Sequence, residues 1–108
     1  MMEGEQRYVS PDGRLVFLVV RKDDDVILGF EGSDWHTHGD ILASLFAVSV
    51  EHAVKRFVED LLGDQSVIGV GSMDGVTPFI WVEDGFDYPD EEFAVERRYW
   101  SGARPAPL

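Results

Sequence analysis

An α+β domain is predicted for this chain from three observations. One stretch, Val50 to Leu62, carries a clear helical apolar period. Several short apolar or alternating runs are separated by Gly, Pro and Asp turn signals, as strands are. The length, 108 residues, allows one core and no second domain. The expected architecture is a mostly antiparallel sheet of about six strands with the Val50 to Leu62 helix packed on one face. Residues 1–108 form a single domain, with a frayed start at 1–5 and a proline-containing tail at 101–108.

The first strand is expected at Arg7 to Val9, turning at Ser10-Pro11-Asp12-Gly13, where proline presets the second turn position. Leu15 to Val20 follows, apolar at both alternating sets of positions, so it belongs inside the sheet with both faces covered. One helix covers only one face; a loop, the Asp34 to Asp40 segment or a second subunit must cover the other. Arg21 to Asp25 is a polar turn, and Val26 to Phe30 a third strand. Ile41 to Val48 reads either as a short helix capped by Asp40 or as a buried connection. In Val50 to Leu62 the apolar residues Val50, Ala53, Val54, Phe57, Val58, Leu61 and Leu62 make one stripe, with Ser49 as N-cap and Gly63 just past the end. His52 falls on the polar face and is expected in solvent. Ser66 to Val70 and Thr77 to Glu83 are strands joined through Asp74-Gly75, and Pro78 marks the second as an edge. Phe93 to Trp100 is the last strand. One of Arg97 and Arg98 is expected to face Asp34 or Asp40.

The chemistry is concentrated in Asp34-Trp35-His36-Thr37-His38-Gly39-Asp40, which holds two of the three histidines within seven residues. If extended, Asp34, His36, His38 and Asp40 share one face while Trp35 and Thr37 point to the core. Two imidazoles at that spacing can hold one divalent ion such as zinc, with Asp34 or Asp40 as a further ligand. If helical, the same residues form two His/Asp pairs at the (i, i+4) spacing, although Gly32 and Gly39 oppose a helix. A third reading is structural, with Trp35 plugging the core and the polar side chains bonding backbone groups.

His36-Thr37-His38-Gly39-Asp40 also resembles the opening of the His-x-His-x-Asp-His motif of metallo-β-lactamase-fold hydrolases. The resemblance stops at Ile41, which stands where a further histidine is required, and the only later histidine is His52. None of that family's chemistry carries over.

Nine Lys and Arg against 21 Asp and Glu leave a net charge of −12. Such a chain is not expected to bind nucleic acid directly, since phosphate contacts need cations, and a basic protein is the natural partner. Cysteine is absent, which excludes disulfides and thiolate chemistry. The longest apolar run, six residues, is too short for a membrane span or signal-peptide core, so a cytoplasmic location is expected. Glu83 to Glu92 is an acidic loop with interleaved aromatics, and Asp84, Phe86, Asp87, Tyr88, Asp90, Glu91 and Glu92 are the candidate docking residues. The function expected first is a non-enzymatic protein-binding module, an inhibitor or immunity-type protein for a basic partner. The alternative is a divalent-metal-binding protein or metal-dependent hydrolase using His36 and His38. A homodimer through the second apolar face of Leu15 to Val20 is a third. No complete catalytic set is present, which weighs against an enzyme.

Overall fold

A computed structural model of the chain describes residues 4–33, 35–72, 78–82 and 94–104. The element order is β1 (Gly4–Val9), β2 (Val16–Lys22), β3 (Asp25–Phe30), β4 (His36–His38), α1 (Gly39–Phe46), α2 (Val50–Leu62), β5 (Ile68–Ser72), β6 (Pro78–Val82) and β7 (Ala94–Arg98). The class is α+β with antiparallel pairing, but the strands do not form one sheet of six. Seven strands make two sheets, ordered β1-β2-β3-β4 and β6-β5-β7. The two α-helices interrupt the meander between them, so the second group of strands starts a new sheet.

In the larger sheet β2 is central, as its two apolar faces require. Phe17, Val19, Leu28 and Phe30 point inward and are buried, while Val16, Leu18, Val20 and Ile27 on the outer face are only half-buried. Phe17 meets Phe30 edge-on at 5.1 Å and stacks on Phe57 of α2 at 5.9 Å, which fixes α2 to the inner face. The periodicity of α2 is realised: Ala53, Val54, Phe57, Val58 and Leu61 are buried, and the Ser49 hydroxyl accepts the His52 N–H at 3.3 Å. His52 is exposed. Gly63 is not the left-handed residue expected there. Its φ is −93°, and the next residue, Asp64 at φ 60°, takes that conformation.

Polar contacts join the two sheets. The Ser33 hydroxyl accepts the Ile80 N–H at 2.8 Å and donates to the Ile80 carbonyl at 3.0 Å, acting as a one-residue extension of the β6 edge. Pro78 opens β6, which is an edge strand as its missing N–H demands. Within the smaller sheet, Gly69 lies opposite Trp81, whose indole covers it and is 1% exposed. The indole N–H has no hydrogen-bond partner among the described residues.

Arg98 does not reach the histidine segment. Its guanidinium is buried (1% exposed) and donates to Asp12 Oδ2 at 2.7 Å, to the Trp100 carbonyl at 2.9 Å and to the Tyr99 carbonyl at 3.0 Å. Asp12 also accepts from the Ser10 hydroxyl at 2.7 Å and the Arg14 N–H at 3.2 Å. The first turn is thereby tied to the last strand across 86 positions. Arg98 first, then Ser10, hold the Asp12 carboxyl far below the usual carboxylate range. At the described end of the chain Ser101 N–H donates to Asp64 and Arg104 pairs with Glu96. β1 begins at Gly4.

Candidate functional site

The segment around the histidines is extended over β4 and then turns directly into α1. Trp35 and Thr37 point inward and are buried, with Trp35 packed on Phe30 at 6.2 Å. His36 and His38 share the outer face, where their rings stand edge to face at 5.1 Å. Gly29, opposite His36, permits this approach: a β-carbon there would sit 2.8 Å from the Trp35 carbonyl oxygen. Gly39 opens α1 instead of breaking it. A β-carbon at that position would lie 2.8 Å from Val50 and 3.1 Å from Val26, so glycine lets α1 start tightly against α2 and β3.

Among the described residues the carboxylate bonded to a histidine is Asp25, which was not among those expected. Asp34 lies outside the described residues, and Asp40 belongs to the first turn of α1, where its side chain accepts the Ile41 N–H. The α1 N-cap is His38, with no side-chain cap bond. The partner of His38 is Asp25, the first residue of β3, at 3.1 Å from Nδ1. Register explains it: Ile27 faces His38 across the β3–β4 ladder, and Asp25 lies two residues further along the same face. Because a carboxylate only accepts, Nδ1 is the donor in this pair, which fixes the orientation of the His38 ring. Among the described residues no three His, Asp or Glu side chains converge on one point as a metal ion would need.

Two shallow grooves flank the histidines. On the outer sheet face Leu18, Val20, Ile27, Trp35 and His36 line an apolar one of about 430 Å³. At the other end, Asp24, Asp25, His38, Asp40, Ile41 and Val50 line a cleft of about 450 Å³ with three carboxylates at its rim. The turn that delivers Asp24 is a two-residue one with Asp23 and Asp24 both left-handed (φ 51° and 65°), a conformation Asp tolerates better than most side chains.

Ion pairing decides where the negative charge is left over. At least seven of the nine Lys and Arg residues are held in intrachain pairs among the described residues: Arg7 with Glu31, Arg14 and Arg104 with Glu96, Arg21 with Glu51, Lys55 with Glu59, Arg56 with Asp60, and Arg98 with Asp12. The arginine hydrogen bonds lower the carboxyls of Glu31, Glu51 and Glu96 below their ordinary values. Asp23, Asp24 and Asp40 have no ion-pair partner among the described residues. Asp24 and Asp40 line the one cleft, and Asp23 adjoins it in the same turn.

The acidic loop residues Asp84, Phe86, Asp87, Tyr88, Asp90, Glu91 and Glu92 lie outside the described residues. Sequence reasoning missed Asp25, read as part of a solvated turn, and the exposure of Ile41 and Leu45, which stand in a run that reads as core. Only strand register marks the first, and nothing local marks the second. Among the described residues no helix is long and apolar enough to cross a membrane. No protein-family model, curated protein or solved structure matches the chain.

Proposed function

We propose that this chain is a non-enzymatic protein-binding module that captures a basic protein, in the manner of an inhibitor or immunity-type protein. The observation that carries the reading is the charge distribution: at least seven of nine cations are paired within the chain, while Asp23, Asp24 and Asp40, in and beside one exposed cleft, have no ion-pair partner among the described residues. A surplus of this kind steers a cationic partner and raises its rate of encounter. The Glu83 to Glu92 stretch contributes six of the chain's 21 acidic residues to the negative total.

The test uses the immobilised protein to capture partners from an extract of its own cells, followed by purification of the captured protein and stopped-flow association at several salt concentrations. A partner of basic pI, with an association rate falling about tenfold or more between ~0.02 M and ~0.5 M salt, is the expected result. A Glu91→Gln/Glu92→Gln variant reports whether the acidic loop contributes. Capture of no basic protein, or a rate indifferent to salt, would refute the reading.

A second reading, a divalent-cation site, draws support from the Asp25–His38 pair. A carboxylate on Nδ1 orients an imidazole so that Nε2 faces a metal, and His36 stands beside it on the same face. Zinc or nickel added to chelator-stripped protein is then expected to raise the melting temperature, and to leave a His36→Ala/His38→Ala variant unchanged. An unmoved wild-type midpoint removes this reading.

A further inference from the structure

Helix α1 has the composition of a buried helix and the exposure of a surface one. After Asp40 its residues are Ile41, Leu42, Ala43, Ser44, Leu45 and Phe46. Five of these six are apolar, none is charged, and the small hydroxyl of Ser44 is the one polar group among them. A helix with so little polar surface ordinarily lies inside a protein. Only one side is covered here. Leu42 is fully buried and Gly39 abuts Val26 and Val54, yet Ile41 and Leu45, one turn apart on the flank beside Leu42, are each 50% exposed. Val50, 37% exposed, extends the apolar surface across the connection to α2. Ile41 and Val50 also line the cleft that Asp24, Asp25 and Asp40 rim, so the bare apolar surface and the uncompensated carboxylates are continuous.

We infer that this face of α1 and the adjoining cleft are the docking surface, and that its occupant is a basic segment of a partner protein that presents both apolar and cationic side chains. The inference rests on the reading of the chain as a binder of a basic protein and adds where the partner sits. Charge complementarity selects this occupant. A Leu or Phe of the partner covers Ile41 and Leu45, and a Lys or Arg enters the cleft to meet Asp24 and Asp40, which find no cation within the described part of their own chain. A second copy of this chain fits worse. A two-fold contact centred on the patch would bring the same carboxylates against one another. The groove on the outer sheet face is the weaker candidate, because its apolar residues are already half-buried and the neighbouring Arg7–Glu31 pair leaves no surplus charge.

The test is a titration of ¹⁵N-labelled protein with a synthetic amphipathic peptide of Leu and Lys, and with a counterpart carrying Glu for Lys. The Leu/Lys peptide is expected to shift the amides of Asp24, Asp40, Ile41, Ser44 and Leu45, and the Glu counterpart to shift none. Ile41→Ser/Leu45→Ser and, separately, Asp24→Asn/Asp40→Asn are each expected to weaken binding about tenfold or more. All four substituted positions are at the surface, and circular dichroism checks that each variant is folded. Shifts that map to another surface, no binding at all, or binding retained in both variants overturns the docking surface. Shifts of the α1 amides with protein concentration alone would make the face a contact between copies and overturn it as well. The broader reading is distinguished by the captured partner: a salt-sensitive basic protein that binds both variants as well as wild type leaves that reading intact and removes only this surface.

Discussion

Replacing Gly69 by alanine is expected to destabilise the protein, although the substitution adds a single methyl group. Gly69 pairs with Trp81 across the β5–β6 ladder, and the indole lies over the glycine. A β-carbon at Gly69 would sit 2.6 Å from Trp81 Nε1 and closer still to the adjoining ring carbons. Ordinary carbon contacts are near ~3.5 to 4 Å, so the ring must retreat by about 1 Å or more. Trp81 is 1% exposed and enclosed, so a retreating ring displaces its neighbours and exposes part of its own surface. Overpacking of this kind costs about 1 to 3 kcal/mol. Returning a third of a tryptophan's ~200 Å² to water adds roughly 1.7 kcal/mol at ~25 cal/mol per Å². Alanine recovers about 0.5 to 1 kcal/mol by restricting the unfolded chain. The net is about 2 to 4 kcal/mol, a fall in melting temperature of roughly 10 to 20 °C for a domain of this size. Circular dichroism melts of wild type, Gly69→Ala, Trp81→Val and the double variant measure it as a cycle. A coupling of about 1 kcal/mol or more, with the alanine nearly harmless once the indole is gone, is the expected result. A Gly69→Ala midpoint within about 2 °C of wild type, or strict additivity, would contradict the packing argument.

Two other expectations concern the polar ties. Ser33→Ala removes both bonds to Ile80, leaves the Ile80 N–H without its acceptor and is expected to cost about 1 to 2 kcal/mol; hydrogen exchange at Ile80, faster in the variant than at the neighbouring amides, locates the loss. The carboxyls of Asp12, Glu31, Glu51 and Glu96 all have folded values below their unfolded ones of about 3.9 to 4.3. In that range the unfolded chain binds more protons, so stability rises with pH: their contribution is complete above about pH 5 and is lost as pH falls through the depressed folded values. The urea midpoint is therefore expected to drop steadily below about pH 4. Arg98→Met, which removes the cation that holds Asp12, is expected to flatten the most acidic part of that profile and lower the melting temperature at neutral pH.

The class of the fold, the α2 helix from Val50 to Leu62 and the inward set of the histidine segment were legible in the chain. Each rests on a local period: 3.6 residues for α2, with its serine cap, and two residues for Trp35 and Thr37 against His36 and His38. The centrality of β2 was legible too, because a strand apolar on both faces has no stable place at an edge. Net charge and the absence of cysteine are likewise properties of composition alone.

The division into two sheets was not legible, since alternation marks a strand without marking its neighbour. Three features of the candidate site depended on the same missing knowledge. Asp25 reaches His38 because of the β3–β4 register, and Arg98 lies in the other sheet, bonded to Asp12 86 positions earlier. Charge follows suit: composition determines the total, but pairing across the fold decides which carboxylates are left without a cation, and around the cleft, among the described residues, these are Asp23, Asp24 and Asp40. The exposure of Ile41 and Leu45 is the clearest case. Their run is apolar enough for a core, and burial is a relation between a side chain and whatever else the fold sets against it, which no local pattern encodes.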